Sequence, residues 1–281
     1  MKRIALGMTA LAVLAAGPAL AQQTGVPALP KAGAITVTPD VGTIVNVGGA
    51  FVTSGSKSVT GTTSLFNGPA APSVTVVGAA TLTVPSRTFG QVYDTPIQLG
   101  ASVNYGLSDH DEISGRFRWL HADADIFNAL NVSATVTVNG RTVSGGSTLQ
   151  GQFSNYDEEG LEFGYRHFFD SSWPGFHPYV GALAGAKYNS AVSLELLHQG
   201  TTIASGIHFY GSGLSLSSGV SAGFRYDLAS NVALGLETGL RYEGTLDRDT
   251  SSLGSSGGLS TVNQGGDRWD FPIIAGAIIR F

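Results

Sequence analysis

Along much of the chain apolar and polar positions alternate with period two, as they do in strands whose side chains point to opposite faces. The clearest run comes last. Trp269, Phe271, Ile273, Ala275, Ala277, Ile279 and Phe281 fall on one face, while Asp270, Pro272, Ile274, Gly276, Ile278 and Arg280 fall on the other. Upstream, Val232, Leu234, Leu236, Leu240, Tyr242 and Leu246 share a face, as do Leu214, Leu216, Val220, Ala222, Phe224, Tyr226 and Leu228. Leu161, Phe163 and Tyr165 form a third row, and Ile113, Phe117 and Trp119 a fourth. A fifth comprises Ile97, Leu99, Ala101, Val103, Tyr105 and Leu107. The Gly/Ala-rich segment 178–188 also reads as a strand, with no preference for which face points out.

These are seven strands, and a closed single-chain membrane barrel needs an even number. The eighth is expected at Thr43–Val52, through Val45, Val47, Gly49 and Phe51, with Val74–Val84 as the rival. Connections at 108–111, 170–177 and 229–231 are short, whereas 53–94, 123–156, 189–211 and 247–267 are long and rich in Ser, Thr and Gly. Short turns at one rim and long loops at the other are what an up-and-down transmembrane barrel shows. Aromatic residues are expected at two levels: Tyr105, Tyr165, Tyr179, Tyr226 and Phe281 at the short-turn rim, Trp119, Tyr242, Trp269 and Phe271 at the long-loop rim. Interfacial anchoring requires that arrangement, and a soluble β-sandwich does not. The expected fold is therefore all-β: an eight-stranded antiparallel transmembrane β-barrel with long extracellular loops and short periplasmic turns.

Composition narrows the classes. With 39 glycines, 12% charged residues and no second apolar stretch of helix-spanning length, a helical membrane protein is excluded. A formal charge of −5 without a basic cluster argues against nucleic acid as a partner. The absence of cysteine rules out disulfides and lipid attachment through a thiol. Met1-Lys2-Arg3, the apolar run Ile4–Ala16 and the small residues of Pro18-Ala19-Leu20-Ala21 form the pattern of a cleavable signal peptide. The expected organisation is a signal peptide at 1–21, an N-terminal periplasmic segment at 22–41 and the barrel at 42–281.

The segments Pro178-Tyr179-Val180-Gly181-Ala182, Gly219–Leu228 and Leu236-Glu237-Thr238-Gly239-Leu240-Arg241-Tyr242 resemble strands of the opacity-protein and OmpA-like eight-stranded outer-membrane barrel family. The resemblance covers residues 95 to 281 and lies in pattern rather than in a fixed signature. It implies a multi-pass barrel in the bacterial outer membrane, surrounded by outer-membrane lipid and lipopolysaccharide, and without the peptidoglycan-binding domain of some relatives. It also implies recognition of the terminal aromatic by the barrel-assembly machinery, which here would read Phe281 and Ile279.

Inward positions carry most of the charge: Arg116, Arg118, Glu162, Arg166, Arg225, Glu237, Arg241 and Glu243. A barrel this narrow has room only for side chains. The expectation is an Arg/Glu network filling the lumen of a protein with a structural or surface-interaction role, adhesion- or opacity-like. A narrow ion or small-solute channel is the alternative, and a lipid A-modifying enzyme a remote one. No catalytic residue, cofactor or metal is assigned. His121 with Asp123 and Asp125 is the single acid–base cluster of note, and it reads as a solvated rim group. The Asn139-Gly140 hairpin signal within 135–143 and the similar alternation at 193–203, folded back at Gln199-Gly200, suggest strand extensions above the membrane. An extracellular ligand, if bound, would be held through loops 53–94 and 123–156.

Deletion of Phe281 is expected to lower the amount of heat-modifiable protein in the outer membrane while leaving signal cleavage intact. Unchanged assembly, measured by semi-native electrophoresis of membrane fractions, would show that the terminal aromatic is incidental.

Overall fold

The computed structural model describes residues 30–64, 73–138, 141–253, 259 and 261–281. Eight strands close a barrel: β1 (Ile35–Gly48), β4 (Ile97–Gly106), β5 (Asp111–Ala122), β8 (Tyr156–Phe168), β9 (Phe176–Asn189), β12 (Gly213–Ala229), β13 (Val232–Glu243) and β14 (Arg268–Arg280). Each pairs antiparallel with the next, and β1 closes the ring against β14, running from Thr36 opposite Arg280 to Gly48 opposite Trp269. The expected signal peptide lies outside the described residues.

Alternation dictates the facing. Phe163, Leu214, Leu216 and Val220 are exposed on the outer wall, with the rest of their rows. Tyr105, Tyr165, Tyr226 and Phe281 ring one end of this wall, while Trp269, Phe271, Tyr242 and Trp119 lie at the other. An apolar band between aromatic girdles, on a sheet whose strands close into a ring, is a surface made for hydrocarbon. The chain is a membrane β-barrel.

Several expectations need correction. β1 starts at Ile35, so residues 35–41 belong to the wall rather than to a periplasmic segment, and the barrel does not begin at 42. Pro39, Asp40 and Gly42 interrupt the apolar row there and hid the strand; the register shows Asp40 opposite Gly100 and Gly276. The strand also stops at Gly48, short of Val52, and Phe51 turns into a separate core. In β9 the outward row is Val180, Ala182, Ala184, Ala186 and Tyr188, which places Tyr179 inside the lumen rather than in a girdle.

The largest difference lies in the long connections. The strand extensions expected at 135–143 and 193–203 are present as hairpins, but three of the connections are strand over most of their length and leave the barrel wall to make their own sheet. Hairpins β2 (Gly55–Ser64)–β3 (Ser73–Val84), β6 (Ile126–Val138)–β7 (Arg141–Phe153) and β10 (Val192–His198)–β11 (Thr201–Tyr210) join in the order β11-β10-β7-β6-β3-β2. Residues 244–253 and 261–267 brace the two ends of this cap. The Gly211 amide donates to the Asp247 carbonyl at 2.9 Å beside β11, and the Thr53 amide donates to the Val262 carbonyl at 2.7 Å at the foot of β2. Val74–Val84, the rival first strand, is thus a cap strand.

The cap exists because its hairpins carry apolar rows that a charged lumen cannot receive. Those rows bury one another in a contiguous cluster that includes Leu82, Phe127, Phe153, Leu196 and Phe209 and reaches down to Ile44 and Leu120 of the barrel. Phe51 sits at its centre, with ring centroids 5.7 Å from Phe89, 5.3 Å from Tyr93, 5.3 Å from Phe153 and 5.2 Å from Tyr210, all edge-on. Such edge-to-face arrangements add to the gain from burial. The polar tips are satisfied: the Tyr210 hydroxyl donates to the Phe51 carbonyl at 2.6 Å and that of Tyr93 to the Ser154 carbonyl at 3.2 Å. Burial raises the pKa of both hydroxyls above the ordinary tyrosine value.

Phe51→Ala is expected to destabilise the cap by about 3–5 kcal/mol, the usual result of emptying an aromatic site in a packed core. Hydrogen exchange should show β6, β7 and β10 losing protection while the barrel strands keep theirs. Equal loss in both would mean that the two parts unfold as one unit.

Candidate functional site

The inward positions of the barrel bring charges into two connected tiers. In the lower tier, Glu112 on β5 accepts from Arg225 on β12 at 2.5 Å and from Arg166 on β8 at 3.2 Å. Glu237 on β13 accepts from Arg166 at 2.7 Å, Arg116 at 3.0 Å and the Tyr179 hydroxyl at 2.9 Å. Arg116 also meets Asp40 at 2.7 Å.

The upper tier centres on Arg118. Its guanidinium lies 2.7 Å from Glu243, 3.0 Å from Glu158 and 3.1 Å from Glu162. Arg241 pairs with Glu162 at 3.3 Å, and Lys187 bridges Glu158 at 3.1 Å and Glu243 at 3.3 Å. At the top Arg268 reaches Glu158 at 2.9 Å and Asp270 at 2.6 Å. Among the described residues this makes seven cations and seven carboxylates, formally neutral. Neutrality matters because an uncompensated ion without water is penalised by several kcal/mol.

Aromatic rings finish both ends. The Arg225 guanidinium lies 4.6 Å from the buried Phe168 ring at the bottom. At the top, Arg268 lies 4.8 Å from the Phe89 ring and 5.2 Å from that of Tyr156, whose hydroxyl donates to Glu158 at 2.7 Å. Phe89 and Tyr156 belong to the cap's core, so the charged lattice ends where the aromatic cluster begins. Small residues make room for the long side chains. A Cβ on Gly160 would stand 2.9 Å from the Arg118 Nε, and one on Gly223 2.6 Å from the Tyr179 hydroxyl. Cavities beside Arg116, Arg166 and Glu237 measure about 20 and 30 Å³. Each suits a water or two.

All eight lumen residues expected from the sequence take part in this lattice. Within it Arg225 serves Glu112, and Glu243 turns to Arg118 and Lys187. Sequence reasoning left out six further members. Asp40 fell in the segment excluded from the barrel, and Glu158 and Arg268 adjoin connections read as loop. Lys187 sits on the strand whose facing was open. Glu112 and Asp270 stood on inward rows but were not assigned; a barrel start at Ile35 and strict inward counting would have found them.

His121 lies on the outer wall near the long-connection rim, its ring 5.6 Å from that of Trp119 and nearly parallel to it. Its Nδ1 is 2.6 Å from Asp157 and its Nε2 3.4 Å from Asp123. Asp125 is not part of this group; its carboxylate accepts from the Ile126 amide. Among the described residues no group of three or more His, Asp or Glu has the geometry to hold a metal ion.

No protein-family model matches the chain, and no curated protein matches it. Solved structures resemble it at low identity. Neisserial surface protein A (NspA) is 12% identical with a TM-score of 0.41, covering 88% of this chain and 97% of its own. Ail, the attachment invasion locus protein of Yersinia pestis, is 11% identical with a TM-score of 0.36, covering 89% of this chain and 99% of its own. The outer membrane protein OprG from Pseudomonas aeruginosa is 12% identical with a TM-score of 0.37, covering 90% of this chain and 97% of its own. By its own strand order and closed hydrogen-bond ring, this chain has the fold of an eight-stranded outer-membrane β-barrel.

Proposed function

We propose that this protein is a bacterial outer-membrane surface protein that presents its β-cap for interaction and does not act as a pore or an enzyme. The observation that carries this reading is the two-part filling of the axis, a neutral ion-pair lattice within the bilayer and an aromatic core above it. A conducting path would have to cross both. The investment of three hairpins and a bracing connection in a folded cap supports a display role, since binding surfaces favour loops held on rigid scaffolds. The long-connection rim is taken as the extracellular one, with outer-membrane lipid and lipopolysaccharide around the wall. Assembly through the C-terminal strand is part of the same reading.

Purified protein in planar bilayers is expected to give no steady conductance at physiological salt, and cells producing it should gain surface binding that is lost when residues 126–153 are replaced by a short Gly/Ser turn. Steady single-channel steps that persist after that replacement would favour the narrow-channel alternative.

Glu237→Gln tests the lattice. The substitution strips the carboxylate from Arg116 and Arg166 together, leaving Arg116 to Asp40 and Arg166 to Glu112. Breaking a buried pair this way costs about 3–5 kcal/mol, less where water enters. Urea unfolding in lipid vesicles should show a lower midpoint, and wild-type stability with wild-type conductance would defeat the lattice as the source of closure.

A further inference from the structure

The barrel wall has a window. β1 and β4 pair only as far as Thr43 opposite Ile97, while β1 continues to Gly48 against β14. Pro96 lies immediately beyond the last β4 rung, and proline has no N–H with which to extend a ladder. Its carbonyl instead accepts the Thr43 hydroxyl at 2.7 Å. Above this point, among the described residues, β1 has no partner on its β4 side. A cavity of about 230 Å³ fills the space, far larger than those in the lumen.

The walls have distinct characters. Phe89, Tyr93, Ile44 and Leu120 make an apolar interior, all of them buried. Val45 lines the same cavity yet is 48% exposed on the outer wall, beside the exposed Ile97. The cavity therefore passes from the lipid-facing surface to the rim of the aromatic core. Its level is set by the register: Val45 is opposite Phe271 and Asn46 opposite Asp270, next to Trp269 of the girdle.

Charge at the window is already compensated. Arg268 is held by Asp270 and Glu158, and Asp270 takes its other hydrogen bond from Asn46 at 3.2 Å. Exposed Asp94 adds a carboxylate at the mouth. An anionic head group would find no spare cation here and would face Asp94. Asn46 donates through its amide nitrogen, and its Oδ1 accepts no hydrogen bond among the described residues. The unpaired edge of β1 adds further backbone groups.

We infer that this window is a binding site for a neutral, mostly apolar molecule carrying a hydroxyl-type donor, which enters sideways from the outer leaflet. Its size follows from the volume. A cavity of about 150 Å³ takes benzene, so one half as large again holds about nine non-hydrogen atoms. The donor would serve Asn46 Oδ1 or the free strand edge, and the apolar part would lie on Phe89 and Tyr93. Sideways entry rests on the membrane reading above; the site is independent of any role of the cap.

Gly90 provides the test, because it lines the cavity and an added Cβ there meets only the Asn46 Cβ, at 3.9 Å. Gly90→Leu should therefore fill the space without forcing the backbone. Full-length protein is placed in phosphatidylcholine nanodiscs, and insertion is checked first by heat-shifted gel mobility. Methyl NMR then follows Ile44 and Leu120 during titration with 1-octanol, and separately with octanoate. Saturable shifts are expected at both residues with 1-octanol, at least ten-fold weaker binding of octanoate, and no saturable shift in Gly90→Leu. Asn46→Ala should weaken octanol roughly five-fold, as for one lost hydrogen bond. Linear shifts spread over the lipid-facing residues, or identical titrations for wild type and Gly90→Leu, would overturn the site. Equal binding of octanoate would overturn its assignment to neutral ligands. Failure to insert would overturn the bilayer reading and sideways entry with it.

Discussion

Everything in this molecule depends on how fourteen ionised side chains are stored in a space without bulk water. A barrel of eight strands is too narrow for a solvated channel, and its outer wall is committed to hydrocarbon. The interior must then be filled by side chains, and here those are guanidinium, ammonium and carboxylate groups in equal numbers of each sign. Each of the carboxylates Glu112, Glu158, Glu162, Glu237 and Glu243 is shared by two or more cations from different strands. Sharing ties strands distant in sequence across the lumen and resists any shift in register, since a slip of one residue would turn each charge toward lipid.

Above the bilayer the rule inverts. Once the chain leaves hydrocarbon, water lies outside and apolar groups must go inside. The same chain therefore builds two cores of opposite character on one axis. They meet at Phe89 and Tyr156, whose rings face Arg268 below and the aromatic cluster above. Such a junction is stable because an aromatic face attracts a cation while its edges pack as hydrocarbon.

The barrel was legible in the sequence because the demands of lipid are periodic and unforgiving. Phe163, Leu216, Val220 and Ile273 had to alternate with small or charged partners, and they do. The first strand was less legible because Pro39, Asp40 and Gly42 broke its row, although Asp40 belongs there to meet Arg116. Tyr179 was misplaced because an aromatic near a rim can serve the girdle or, through its hydroxyl, a lumen carboxylate. The cap was hidden most deeply. Hairpin signals marked only 135–143 and 193–203, and elsewhere the Ser, Thr and Gly between apolar positions read equally well as loop. What distinguishes them is long-range: Phe51, Phe153 and Tyr210 come from three different connections and acquire meaning only together.

The order in which cap strands adjoin has a kinetic consequence. Within each hairpin the contacts are local, but β3 meets β6 and β7 meets β10, pairs whose hairpins are rooted in separate barrel segments. In an unfolded chain those meetings carry the loop-closure entropy of long separations. Once the barrel has closed, the roots of all three hairpins stand at fixed neighbouring points, and their effective concentration rises accordingly. The wall thus acts as a template. Cap formation is expected to follow membrane insertion, and a chain still in transit carries the cap strands as three unjoined hairpins.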